Sequence, residues 1–498
     1  MPNVRIPLFQ AAQKNVDEIQ LRSFASSLIN GYIDEAEFIN RRPGYSTFVD
    51  LSTSGTLLTD GTDSAIDGLF WWNEANIHVA VAGSRVYGIT VAGVPSRITG
   101  ATTAESGSTL PTNKVSFTAM KIANVDTLFL ASGGNVFYTQ GSTLVNMEDV
   151  DADIPSAVDQ VTNLDSYLIV NSLTAGERGR IYFSNVLDAT DWDGDFASAE
   201  AKPDNIDGIR VVGAELILLG TQSIEHFYDD GATPFVRYKG GEIQNGVSAK
   251  DTIVQIDNVL FFLDTQRRLV VLQGRTFKPV SAPFDRTIQS LSSVTDAYAE
   301  NIRIAGKSFY MITFPTASRT AYDSSSKTGI TWVYDYVLDR WYEWGLWDAG
   351  NTEYGPFVAS THDYVIPTGN NYVGSKEADG LIYTLDADVY QDAGAVLRTQ
   401  IDSGFFDHGT LQMKEVKRFL ARLKRGVGTS DTVSVKYKNE NETTYGSEFL
   451  IDLSTDAEFF IQEGPLGSYR ARSYRVVSES NTQFVMGSVE EDIVGLEI

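Results

Sequence analysis

The chain of 498 residues contains no cysteine. Disulfides, thiolate metal sites, iron–sulfur clusters and cysteine nucleophiles are excluded together, so stability has to come from packing. Histidine is almost as scarce: His78, His226, His362 and His408 are the full set, and no two stand at the helical spacing of a metal-ligand pair. Each reads as an ordinary strand or loop residue. A G-x-S-x-G elbow, a P-loop and an H-E-x-x-H sequence are missing as well, which removes the common hydrolase and nucleotide signatures. No apolar run approaches the roughly 18 to 20 residues of a membrane helix. The start, MPNVRIPLFQ, lacks the charged-then-apolar build of a signal peptide. The expectation is a chain made and used without crossing a membrane, with no cofactor.

Positive charge is the other shortage. Lys+Arg number 39 against 65 Asp+Glu, a net charge of −26. Residues 1–400 carry 28 against 49 and residues 401–498 carry 11 against 16, giving nets of −21 and −5. A protein that grips nucleic acid by neutralising phosphates needs a basic stripe. The opposite sign here argues against tight binding to DNA or RNA and is compatible with contact that does not adhere.

What the sequence does have is a soluble, foldable composition, 42% hydrophobic and 21% charged. It also has a loose repeat. A short apolar run meets a turn and is followed by a second run, usually ending in tyrosine, as in IHVAVAGSRVYGI, LFLASGGNVFY and LILLGTQSIEHFY. Marker residues Tyr87, Tyr138, Tyr182, Tyr228, Val271, Tyr334 and Tyr383 are separated by 51, 44, 46, 43, 63 and 49 positions. Most of these fall near the roughly 40 to 50 residue period of propeller blades, and the alternation within each unit is that of an antiparallel hairpin. Radial closure also solves the edge-strand problem that an open stack of hairpins, in a sandwich or barrel, would leave. The expected fold is all-β, a β-propeller over 51–395 with seven blades, or six with one unit outside the ring. SAPFDRTIQSLSSVTDAYAENIR, with Pro283 suited to a first helical turn, predicts a short helical insertion near 284–301. Residues 1–50 are expected to form an N-terminal arm and closing strand. From about 396 to 498 the strands follow in closer succession, as in TVSVKYK and RARSYRVV, and predict a C-terminal β-sandwich or jelly-roll-like domain.

The segment WVYDYVLDRWYEWG at 332–345 concentrates aromatic residues. Alternate strand residues share a face. Trp332, Tyr334 and Tyr336 should therefore point one way, while Trp341 and Trp344 lie on opposite faces of the return strand. Rings divided between two surfaces suit the filling of a core better than a single ligand platform, and Asp335 is expected to bond turn amides near Asp339 and Arg340.

Two acidic clusters, DVDAD at 149–153 and DWDGD at 191–195, invite a calcium reading but lack the glycine and glutamate an EF-hand loop needs, so they read as solvated turns. SSKTGITW at 325–332 resembles the Asp-box of sialidases, S-x-D-x-G-x-T-W, with Lys327 where the aspartate should stand. It keeps open an alternative, a propeller glycosidase, sialidase-like or glycan-binding protein. The one basic run, KEVKRFLARLKR at 414–425, predicts a strand with Phe419, Ala421 and Leu423 on one face and Leu420, Arg422 and Lys424 on the other. Lys414, Lys417, Arg418, Arg422, Lys424 and Arg425 form either a solvated face or a docking surface for an acidic neighbour.

Four pieces, in order, resemble a known family: NRRPGYSTF at 40–48, RIYFSNVLDATDWDGDFASAEAKPDNIDGI at 180–209, LILLGTQSIEHFYDDGATPFVRYKGGEIQNGVSAKDTI at 216–253 and TWVYDYVLDRWYEWG at 331–345. The arrangement is similar to the packaged-DNA stabilisation proteins, also described as tail hub or nozzle proteins, of short-tailed bacteriophages. The likeness runs from about 38 to 347 and fades beyond. It implies a structural protein of the virion tail, assembled in the host cytoplasm, working as a homohexameric ring below the head-to-tail adaptor. Such a ring closes the head on packaged double-stranded DNA, supports a fibre, spike or plug protein, and forms the ejection channel. With the common motifs missing, no catalytic, cofactor or metal residue is expected, and the chain is not expected to be an enzyme.

Overall fold

The computed structural model describes residues 3–6, 9, 26–52, 64–83, 85–100, 114–231, 234–323, 325–428, 431–457 and 459–495. Nearly every regular element is a strand, as period-2 alternation and frequent turn residues demand. Five four-stranded antiparallel sheets follow one another along the chain. Their first strands are Ile66–Trp72, Ser116–Ile122, Val158–Leu164, Ile206–Val212 and Val254–Ile256. A sixth meander runs through Tyr298–Ile304, Lys307–Ser318, Thr328–Asp335 and Arg340–Asp348. The seventh comprises Ala359–Val365, Asn370–Ser375 and Leu381–Asp386, and its fourth strand is supplied from the other end of the chain by Gly44–Asp50. All seven marker residues of the sequence repeat fall on the third strand of their meander. Ala123–Asn124 and Asp165–Ser166 reverse the chain with both residues at positive φ, the turn whose twist matches that of the flanking strands.

First strands pack on first strands around the series, with the fourth and fifth sheets meeting through Arg210 and Ile253, and Ala359–Val365 returns against Ile66–Trp72, so the series closes on itself. Six of the hydrophobic clusters among the described residues each lie between two neighbouring sheets. Leu128, Leu130 and Phe137 of the second sheet meet Trp72, Val79 and Val81 of the first, and Leu260 and Phe262 of the fifth meet Ile217 and Leu219 of the fourth. This is a β-propeller: apolar faces are buried sheet against sheet around a ring.

Helix in the 284–301 region is confined to Asp285–Ser290. Ser293 bonds the backbone and hydroxyl of Thr295, a local turn that competes with helix, and by Tyr298 the chain is already a strand.

The termini are interwoven. Ser27–Ile29 is inserted between Arg340–Asp348, parallel, and Thr399–Asp402, antiparallel. The sixth meander thereby continues through Arg472–Ser478 and Thr432–Asn439 to Glu448–Asp452. Gly31–Ile33, Ile39–Arg41, Val485–Gly495, Lys414–Leu423 and Phe459–Glu463 make a second sheet, with Asn3–Ile6 beside Val485–Gly495. The two sheets share one core of Phe419, Ala421, Val433, Val435, Tyr474 and Val476, continuous with Trp344 and Phe357 of the propeller side. The C-terminal strands therefore have no core of their own. Of the expected N-terminal arm, residues 1–2, 7–8 and 10–25 lie outside the described residues.

Candidate functional site

Arg41 and Arg42 sit side by side where propeller and C-terminal strands meet, and they point into different halves. Arg41 is buried, donating to the hydroxyl of Thr399 and to the Ser478, Ser480 and Thr482 carbonyls. Arg42 forms a two-pronged ion pair with Asp392, at 2.9 and 2.6 Å, and donates through Nε to Asn30 at 2.9 Å. Asn30 in turn bonds the Gly345 and Arg398 carbonyls. Burial holds the Asp392 carboxyl above the usual range despite both guanidinium groups. The Pro43–Gly44 step then turns the chain into the closing strand. A Cβ on Gly44 would come within 2.4 Å of the Gln391 carbonyl, so only glycine fits there.

The centre of the ring holds a second concentration of charge, partly buried. Lys114 pairs with Glu300 at 2.8 Å and Lys250 with Asp159 at 2.6 Å. Arg210 donates to Gln160 at 2.6 Å and to the Ile253 carbonyl at 3.0 Å. These groups come from five different sheets or the turns leading into them, and they leave a cavity of about 50 Å³, room for a few waters. Burial raises the carboxyls of Glu300 and Asp251, takes Asp207 up to about 6, and takes the nearby Asp67 up to about 7. The two ion pairs join sheets that are not neighbours, so they cross the propeller axis.

The aromatic hairpin is divided as its spacing predicts. Trp332, Tyr334 and Trp341 lie in the core between the fifth and sixth meanders, whereas Trp344, Val333 and Tyr342 lie in the core shared with the C-terminal strands. Trp341 and Trp344 donate their indole N–H groups to the Val280 and Gly31 carbonyls. Tyr336 departs from the pattern: it is exposed, its ring only edge-on to Phe261. Asp335 accepts from the amides of Val337 and Leu338 instead of those two residues further on, and Asp339 accepts from the Tyr334 hydroxyl.

The acidic clusters meet in space. Asp151 accepts from the Trp192 amide at 2.9 Å, and Trp192 is buried beneath the loop. Among the described residues no group of three or more His, Asp or Glu could hold a metal ion. Lys327 of the box-like turn pairs with Asp348 at 2.6 Å. The histidines are scattered, each with its own neighbour: His78 on Asp363, His226 on Glu215, His362 on Asn371 and His408 on Tyr469 and Glu491. Burial lowers His362 to about 4 and also lowers His226.

The basic run is a strand with the predicted faces, but it is not one uniform patch. Lys414 is buried and donates to the Thr410 and Gln412 carbonyls, which removes it from any exposed surface. Lys417 pairs with Glu415 and Arg418 with Asp492. Arg422 lies over the Phe459 ring, Lys424 donates to Gln483, and Arg425 donates to the Asp452 and Phe459 carbonyls. Sequence reasoning missed the Arg41–Arg42 junction and the central charges. A consecutive arginine pair before Pro-Gly, in a chain poor in cations, was the available signal for the first.

Fold and site together define an all-β propeller protein whose axis is crossed by its own ion pairs and whose termini are knitted across one junction. Residues 40–366 match the phage-stabilisation family described as Bacteriophage P22 Gp10, beta-propeller. The chain belongs to that family, and is a bacteriophage structural protein of the tail-hub, DNA-stabilisation kind. No curated protein sequence matches it. Among solved structures it is similar to the N-terminal domain of Nup159 (11% identity, TM-score 0.37, covering 72% of this chain and 99% of that one). It is also similar to the Pan2 WD40 domain of Neurospora crassa (7%, 0.41, 71% and 96%). A third is a glycoside hydrolase family 43 arabinoxylan arabinofuranohydrolase from Bacillus subtilis (10%, 0.24, 97% and 99%). Likeness at these scores carries no argument about function, the hydrolase included.

Proposed function

We propose that the chain is a non-enzymatic hub of a short-tailed virion. Copies form a closed ring, six by the resemblance, below the head-to-tail adaptor. The ring retains packaged double-stranded DNA, carries a fibre, spike or plug protein, and lines the path by which the genome leaves. Each copy is a seven-bladed propeller over 51–395, its last blade completed by Gly44–Asp50, with a sandwich over 396–498 to which the other N-terminal strands belong. The observation that carries this reading is the family match over 40–366. Two features support it. Ion pairs cross the axis of the single propeller, which favours a DNA path between copies over one through a propeller. A net charge of −26 gives a wall that repels phosphates, so that DNA slides without sticking.

The test is DNA retention in particles assembled without this protein. Heads that fill, leak and become nuclease-sensitive, and that are rescued by adding the protein back, are the expected result. Heads that stay full and nuclease-resistant would overturn the hub reading and make turnover of a fluorogenic glycoside the next assay.

A further inference from the structure

We infer that the outer edge of the C-terminal strands receives the acidic loop 185–196 of a second copy, a contact that repeats head to tail around the ring. The inference rests on the ring proposed above and names the surfaces that close it.

The receiving surface is an unfinished edge. Among the described strands Phe459–Glu463 pairs only with Lys414–Leu423, and Glu448–Asp452 only with Thr432–Asn439, so each ends its sheet. Edge strands in soluble proteins are normally blunted by charge or proline, because an apolar edge is a template for association. Here Phe459 is 59% exposed, Ile461 is exposed on the same face of the strand, and the half-buried rings of Phe449 and Phe460 stack between the two sheets. Arg422 stands opposite Phe459 in register, with Lys424 and Arg425 next along the chain. Around Phe459 the surface is apolar with a positive rim, and the exposed Glu463, opposite Arg418 in register, marks its far end.

The loop that fits it belongs to the third sheet. Val186, Leu187 and Phe196 are exposed there, Leu187 at 69%. Leu187 also has φ of 67°, a conformation unusual for a bulky residue. The Ser166 carbonyl accepts its amide and holds it in place. Asp188, Asp191, Asp193 and Asp195 surround these apolar groups and are exposed. The loop is apolar with a negative rim, the complement of the other edge.

One chain cannot bring the two together. The C-terminal strands join the ring at the sixth and seventh meanders, and the third sheet lies across the ring from them. A surface and its complement on opposite sides of one subunit make a heterologous contact, which generates a ring when the rotation closes. Opposite charge on the rims also sets the register and suppresses wrong pairings.

Charge exchange tests the contact. In assembled particles, Arg422→Glu with Lys424→Glu should lower incorporation of the protein by at least about tenfold, the equivalent of about 1.4 kcal/mol per contact, with an unchanged thermal melt. Adding Asp193→Lys with Asp195→Lys to the same chain should restore it, since reversed edge then meets reversed loop. Normal assembly of the first variant, or no recovery in the second, overturns the inference. The lack of native cysteine allows an independent readout. A Leu187→Cys, Ile461→Cys chain treated with a short bismaleimide should yield a ladder of covalent oligomers. Rings visible by electron microscopy without a ladder refute this contact and leave the hub reading standing. A single copy per particle sinks both.

Discussion

Replacing Arg42 by methionine isolates the junction between propeller and C-terminal strands. The guanidinium and the Asp392 carboxylate have side-chain exposures of 0% and 3%, and the Phe357 ring lies 4.8 Å from the guanidinium carbon. Arg42→Met leaves that carboxylate buried without its partner, which costs about 3–5 kcal/mol. Asn30 is not orphaned by the change, because its side-chain oxygen still accepts from the Gly345 amide at 2.9 Å. With 498 residues and an unfolding entropy of about 2.1 cal/mol/K per residue, a melting point falls by about 1 °C per kcal/mol, so about 3–5 °C is expected by scanning calorimetry. The pH dependence has a definite sign. Burial already raises the Asp392 carboxyl, and without Arg42 it rises further. A raised acid is stabilising when protonated and loses that contribution as pH climbs through its folded pKa. The deficit of the variant should therefore be larger at pH 8 than at pH 5. Adding Asp392→Leu should recover most of the loss, since a buried pair replaced by apolar groups is close to neutral. A deficit below about 1 kcal/mol, or a double variant as unstable as the single one, would refute the account of the junction as a buried-charge clamp.

Other outcomes separate residues that the sequence alone grouped together. Lys414→Met removes a cation bonded to two carbonyls at 2.7 and 2.9 Å and should destabilise by about 1.5–3 kcal/mol. Lys417→Gln breaks only a surface pair and should change stability by less than about 0.5 kcal/mol; equal effects in chemical denaturation would contradict the division. At the propeller centre the Asp67 carboxyl is raised to about 7 by burial, so its contribution is fully present below about pH 4 and is lost as pH rises through 7. The wild-type melting temperature should thus fall more steeply between pH 5 and 8 than that of Asp67→Asn, and parallel curves would show that Asp67 is not the titrating group.

How much of this could be read beforehand depended on the range of the interaction. Hairpins were legible because a strand declares its faces every second residue. Val333 and Trp332 reach different cores for that reason, and each marker residue found a third strand. The helix near 284–301 was overestimated because a run of acceptable helix formers outweighed the turn chemistry of Ser293 and Thr295. The weave of the termini left no local trace. Asn30 bonds the carbonyl of Gly345 across a sequence separation of 315, and nothing in the short SSLINGYID segment marks Ser27–Ile29 as a strand inserted between two distant ones. The basic run showed the opposite limit: its alternation was right, yet the burial of Lys414 depends on the carbonyls of Thr410 and Gln412, which periodicity does not reveal.

The strand that completes the last meander is made almost first and used almost last. Arg42 and Asp392, which flank it, are 350 positions apart, so at synthesis rates of about 5–20 residues per second the strand waits about 20–70 s before its partners exist. Through that interval Gly44–Asp50 has no sheet to join, and the early sheets stand as an open arc with one bare edge. Closure of this kind gives a high contact order and slow folding. It also makes the finished propeller a proof of full-length synthesis: a prematurely terminated chain lacks the Leu381–Asp386 edge on which Gly44–Asp50 docks, so a truncated copy leaves that strand unpaired and its propeller open.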